Sequence, residues 1–267
     1  MEKKREPFVF VMMTYLFSLI CWGVLIITGW PARESAPALA LYMLGGLSPT
    51  LVALLLPLTR PRGERKAYYR RYFRFRIPVR WYLIPIAATL LIVFVPYAVA
   101  LLFFREAVAS LTIQPLYMVV PMFFGMILGG GLEELGWRGI LVHDTRDKNP
   151  FLIAGVIGIL WACWHIPLFF VHGVFQYQLH FIPFLIGVVS FSFMTTALYL
   201  RTKSVVPCII FHAAVNAFGE IGFYYPNDQY AVSIVDAVIR LAVAVVIFAV
   251  LLNKKGRTED ALLQRTA

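Results

Sequence analysis

The chain has 267 residues, of which 60% are hydrophobic and 14% charged, with mean hydropathy +0.77 and net charge +10. So few charges on so apolar a chain exclude an ordinary soluble domain. The excess charge is concentrated: Arg60 to Arg80 holds nine Arg and Lys against the single acid Glu64. It therefore reads as a membrane-topology signal, and nucleic acid is not an expected partner.

An all-α, polytopic membrane protein follows, with about 20 apolar residues needed per helical span. Eight spans are expected, near 8–28, 37–57, 81–104, 116–137, 152–171, 181–200, 204–222 and 231–252. The first follows Lys3-Lys4-Arg5 but is too long for a signal peptide and lacks a small-residue cleavage pattern, so it reads as a retained anchor. Basic loops (the N-terminus, 58–80, 138–150, 201–203 and the Lys254-Lys255 tail) alternate with weakly charged ones (29–36, 105–115, 172–180, 223–230). The basic loops then share one side, which the positive-inside rule makes cytoplasmic, with both termini there. No repeat or long linker divides residues 1–267, which read as one membrane domain.

Between the second and third spans, Tyr68, Tyr69, Tyr72 and Phe73 fall on one helical stripe and Lys66, Arg70 and Arg74 on another. A helix of this kind is expected to lie in the interface, aromatics toward the membrane and bases toward anionic lipid headgroups at 60–80. The fourth span carries Gly129-Gly130-Gly131-Leu132-Glu133-Glu134-Leu135-Gly136-Trp137-Arg138. Charges in a span are costly and usually kept for function. Glu134 and Arg138, four apart, share a helical face and can pair, while Glu133 turns about 100° away. The three glycines suit either close helix contact or a local opening for substrate.

The fifth span contains Trp161-Ala162-Cys163-Trp164-His165-Ile166-Pro167, and the seventh His212-Ala213-Ala214-Val215-Asn216. His212 and Asn216 are one turn apart, so two donors can converge on one point, as an oxyanion requires. Counted along the spans at 1.5 Å per residue, His212 lies roughly 12 Å deep, Glu134 about the same if the fourth span continues through Val142, and His165 nearer 20 Å. A tilted or short fifth span would be needed to bring them level. Cys21, Cys163 and Cys208 all sit inside spans and define no disulfide framework. Cys208 lies four residues before His212, which permits a thiol nucleophile, although a buried Cys is usually a small apolar residue. Glu220 continues the His212 stripe and reads as an interfacial acid near Tyr224 and Tyr225. Asp236 and Arg240 read as a private pair.

The pattern of Glu133-Glu134 with Arg138, Trp161 with His165, and His212 with Asn216, on separate spans, resembles the CAAX prenyl protease and bacteriocin-processing (CPBP, or ABI) family of intramembrane endopeptidases. The resemblance covers about residues 115–225, the expected catalytic core. It implies an eight-helix fold with a cytosol-facing cavity. There Glu133 and His165 activate water, His212 and Asn216 stabilise the oxyanion, and Glu134 and Arg138 support the site. Trp161 stands where Phe is usual, and is read as a conservative change that leaves the chemistry untouched. The implied function is hydrolysis of a peptide bond in a membrane-anchored protein or peptide, in a multi-pass protein expected in a prokaryotic cell membrane with its active site toward the cytoplasm. No cofactor is favoured. Zinc held by Glu133, His165 and His212 is the rival chemistry, against which stand the missing H-E-x-x-H helix and the lack of a ligand role for Asn216. The alternative of another class is a transporter or immunity scaffold that uses the same polar cavity to bind.

Overall fold

The computed structural model describes residues 5–70 and 72–253. The expectations placed on Lys3-Lys4, on Lys254-Lys255 and on Arg71 lie outside the described residues. Within them every regular element is helical. Six helices are long and apolar enough to cross a membrane, or seven if one bent pair counts as a span.

Helix α1 (Glu6–Thr28) runs unbroken and ends at Gly29, whose φ of 68° closes its C-terminus in the left-handed region. The second expected span is broken into α2 (Ala36–Gly46) and α3 (Ser48–Leu55), bent by 57° with the turn that follows. Pro49 explains the break, because it has no N–H to continue the ladder and its ring clashes with the preceding turn. The bend is packed from inside: Ser18 Oγ donates to the Gly45 carbonyl at 2.8 Å and Trp22 Nε1 donates to the Tyr42 carbonyl at 3.1 Å.

The basic helix α4 (Arg62–Arg70) departs from expectation. Tyr68 and Tyr72 are buried, and the hydroxyls of Tyr69 and Tyr72 donate to the carbonyls of Leu54 and Ala53 at 2.7 and 3.0 Å. The three tyrosines of its aromatic stripe therefore pack on the protein itself, with Tyr69 and Tyr72 bonded to α3, while Phe73 stays exposed. Arg62, Lys66, Arg70 and Arg74 stay exposed, so the basic face survives.

Helix α5 (Arg80–Phe103) is a regular span. The fourth span starts as α6 (Val119–Leu128), breaks at Gly129–Gly130, and resumes through Gly131–Glu133, Glu134–Gly136, a π-helical turn Trp137–Val142 and His143–Thr145. It thus reaches well beyond residue 137. Gly136 permits a tight crossing, since a Cβ there would overlap the Phe10 ring of α1 and come within 2.9 Å of the Pro49 carbonyl. Helix α7 (Pro150–Trp164) stops at His165, two residues before Pro167. Helices α8 (Phe181–Thr202) and α10 (Tyr230–Leu252) are full spans packed on each other, and α7 packs on α8 as well.

Helix α9 (Val206–Glu220) covers the seventh expected span with only 15 residues. At 1.5 Å per residue it is about 22 Å long, short of a hydrocarbon core of about 30 Å. It can be short because it is sheathed by α5, α6 and α8 rather than by lipid.

These helices run up and down between two ends. At the basic end Arg60 pairs with Glu6, Val205 N donates to Tyr72 O at 3.4 Å, Ser204 Oγ to Arg74 O at 2.9 Å, and the Phe151 and Phe248 rings meet at 4.8 Å. At the weakly charged end Ala32 N donates to His172 O at 2.9 Å, Gln114 N to Ile221 O at 2.8 Å, and the His180 and Tyr230 rings meet at 4.6 Å.

Candidate active site

The break at Gly129–Gly130 turns the fourth span so that both carboxylates face inward: Glu133 is 8% exposed and Glu134 fully buried. Burying ions is costly unless each is paired and hydrogen-bonded. Glu134 meets that demand twice. Its Oε2 lies 3.2 Å from Arg138 Nη1 and its Oε1 is 2.9 Å from His212 Nδ1. The Arg138 guanidinium, also fully buried, lies over the Trp161 ring at 4.6 Å, a cation–π contact that offsets part of its desolvation.

Glu133 is held by a different residue. Trp161 Nε1 donates to its Oε2 at 2.8 Å, and the same indole meets the His212 ring at 5.0 Å. A Phe at 161 would supply the ring but not this donor. The reading of Trp161 as chemically inert is therefore corrected: the indole N–H is a polar handle that a span residue keeps when it has a partner to reach. Behind it, Trp137, Trp164 and Trp22 form an aromatic wall with centroid separations of 5.0 to 6.3 Å.

Both histidines have one ring nitrogen fixed. The Nδ1 of His165 is 2.9 Å from the Trp161 carbonyl, which can only accept, so Nδ1 carries hydrogen and Nε2 keeps a lone pair in the neutral ring. His212 Nδ1 donates to the Glu134 carboxylate, which leaves Nε2 as a donor only when the ring is an imidazolium. The imidazolium would complete a charge balance, with Glu133 and Glu134 negative and Arg138 and His212 positive. A second neutral arrangement differs from this one by a proton moved between Glu133 and His212.

Asn216 stands beside His212. A Cβ on Gly130 would fall 2.6 Å from Asn216 Nδ2 and 2.9 Å from His212 Nε2, so the two nitrogens converge on the space next to this glycine. Gly130 has an extended φ that any residue can adopt, so its requirement is room. Close helix contact and an opened fourth span, which stood as alternatives in the sequence, occur together.

Glu133, His165, His212 and Asn216 all line one cavity of about 470 Å3. His165 reaches it because α7 ends at that residue, which removes the mismatch in depth. No hydrogen bond joins Glu133 to His165, and the space between a carboxylate and an imidazole on one cavity wall suits a water. Cys208 is not on the lining: it is buried and its thiol donates to the Thr195 carbonyl at 3.2 Å. Glu220 does line the cavity, as do Asp236 and Arg240, which pair through two contacts of 2.5 and 3.1 Å. Among the described residues no three His, Cys, Asp or Glu side chains gather as a metal-ligand set. Glu133, His165 and His212 each have one polar atom held by another residue, Trp161 Nε1, the Trp161 carbonyl and the Glu134 carboxylate respectively.

Away from the site, the cavity is walled by one face of α2 and by the loops 29–36, 172–180 and 221–229 with the adjoining ends of α8 and α10. All of these belong to the weakly charged end.

The fold and site define a class: an all-helical, multi-pass membrane protein with a buried carboxylate–histidine centre. Residues 114–218 match the family described as "Rce1-like: Type II CAAX prenyl endopeptidase Rce1-like", and every site residue named above from Glu133 to Asn216 falls inside that segment. The protein named "CAAX prenyl protease 2" of Methanococcus maripaludis is 26% identical over 238 residues, covering 82% of this chain and 85% of that relative. Through this segment the chain is similar to the Rce1-like CAAX prenyl endopeptidase (CPBP) family of membrane proteases.

Proposed function

We propose that this protein hydrolyses a peptide bond of a membrane-associated protein or peptide by water activation without a metal. The observation that carries the reading is the Trp161–Glu133 hydrogen bond beside the Glu134–His212 pair, on a single cavity. Glu133, assisted by the Nε2 lone pair of His165, takes a proton from water as the oxygen adds to the scissile carbonyl carbon. The negative charge that develops on the carbonyl oxygen is met by Asn216 Nδ2–H and by Nε2–H of a His212 imidazolium. Glu134, compensated by Arg138, fixes the His212 ring. As the C–N bond breaks, the proton held by Glu133 passes to the leaving nitrogen. In the arrangement proposed, eight crossings share one domain of residues 1–267 with a catalytic core at about 115–225, and both termini lie with the basic loops. The exposed bases of 60–80 meet anionic headgroups.

The test is cleavage by purified protein in detergent or liposomes, with substrates found by mapping new peptide termini in membranes. Glu133→Gln keeps size and removes the base, so it should abolish turnover while substrate capture persists. Asn216→Ala should lower turnover by about 10²–10³ with little effect on binding, the usual cost of one oxyanion donor. Activity should survive chelators; loss on chelation with rescue by zinc would sink the metal-free mechanism. Wild-type function of Glu133→Gln would favour the binding-scaffold alternative.

A further inference from the structure

Outside the catalytic centre, the charged side chains on the cavity wall are Arg33, Glu220, Asp236 and Arg240. Asp236 and Arg240 satisfy each other through their two contacts, and Arg33 lies exposed on the loop 29–36. Glu220 differs from them: it is half-buried, and among the described residues it has no ion pair or hydrogen bond. Its place in the fold adds to that cost. Glu220 is the last residue of α9, and the negative end of the helix dipole disfavours a further negative charge there. The last turn of α9 contains no basic residue to offset it. A carboxylate kept at such a point, on the wall of a cavity, fits a cation brought by a ligand.

The surroundings of Glu220 have room for one. A Cβ at the neighbouring Gly219 would meet only Phe175 Cζ, at 4.0 Å, so the wall is open beside it. The Phe175 and Tyr224 rings, whose centroids are 4.8 Å apart, also line the cavity and suit the apolar stem and charged tip of a Lys or Arg side chain. His212, Asn216 and Glu220 follow one another at four-residue intervals on one face of α9, so Glu220 lies about 6 Å beyond Asn216. An extended peptide advances about 3.3 Å per residue. A substrate whose scissile carbonyl is held at Asn216 therefore carries a residue about two positions away past Glu220. We infer that Glu220 is a specificity-determining residue that pairs with a Lys or Arg side chain of the substrate, about two residues from the scissile bond. The inference rests on the peptidase reading for the position of that bond, and on Glu220 itself for the charge.

A binding measurement reads the charge without any need for turnover. The probes are N-lauroylated leucine–alanine hexapeptides with a single lysine at each position in turn, and the same set with acetyl-lysine. Against Glu133→Gln protein in detergent, lysine should bind more tightly than acetyl-lysine at one or two adjacent positions. The preference should be about fivefold or more, the upper range of an exposed ion pair. Glu220→Gln in the same background should remove it, and Glu220→Asp, which keeps the charge, should retain part of it. The unfolding temperature of Glu220→Gln should not fall, since the substitution relieves the conflict with the helix dipole. If no position prefers lysine, or if the preference survives Glu220→Gln, the inference is overturned. Turnover of the same peptides by protein with Glu133 intact decides the peptidase reading separately. Cleavage should fall about two residues from the preferred lysine. Cleavage that is indifferent to the lysine would keep the peptidase and overturn the inference. A Glu220-dependent preference with no Glu133-dependent cleavage would remove the peptidase reading and keep Glu220 as a cation-binding residue.

Discussion

A single indole hydrogen decides how Glu133 is presented. Hydrogen bonds to charged groups contribute about 1.5–3 kcal/mol, so Trp161→Phe should lower turnover by roughly 10- to 100-fold while the ring's packing, and with it thermal stability in detergent, is nearly kept. A loss of substrate binding with unchanged turnover would contradict that role. Gly130 makes the complementary case. Gly130→Ala would place a methyl within 2.6 Å of Asn216 Nδ2 and 2.9 Å of His212 Nε2, displacing at least one of the two donors. Turnover should fall by the roughly 10²–10³ of a lost oxyanion donor. Fold should be retained, because the residue lies at a helix break and its φ suits alanine. Most of the site's residues were legible in the sequence, since paired acids, two histidines and an asparagine inside spans have few other reasons to be there. Trp161 was misread because residue type alone does not reveal a partner: only the fold brings its N–H to a carboxylate 28 positions earlier.

At the level of helices, the apolar runs locate the elements but not their interruptions. The bend at Pro49, the gap at Gly129–Gly130 and the early end of α7 all come from Pro or Gly residues visible in the sequence. Whether such residues kink, break or merely thin a helix is set by what packs against them. The same holds for the tyrosine stripe of α4, whose amphipathic spacing suits a lipid surface and a protein groove equally well. Hydrophobic periodicity has no means of distinguishing the two. Gly136 makes one of the close crossings. Gly136→Ala should drive a methyl into the Phe10 ring and destabilise the α1 contact by about 1–3 kcal/mol, the usual cost of overpacking. It would be measured as a lower unfolding temperature in detergent. An unchanged transition would mean that α1 is free to move away at that point.

For the molecule as a whole, reporter fusions in 60–80, 143–149 and 201–203 should report one side and fusions in 29–36, 104–115, 172–180 and 223–229 the other; a split within either set would break the eight-crossing arrangement. The loop charges made the two ends legible. The position of the cavity between them was not, because it depends on the shortness of α9 and on which loops fold over its end. The balance of Glu133 and Glu134 against Arg138 and His212 has one more consequence. A transmembrane voltage acts on net charge moved along its field, at about 2.3 kcal/mol per elementary charge per 100 mV. A centre that is neutral before and after a proton passes between neighbouring side chains offers that field almost nothing to act on. In sealed proteoliposomes the rate of cleavage should therefore be the same with and without an imposed potential, and the enzyme would work equally in an energised and a de-energised cell.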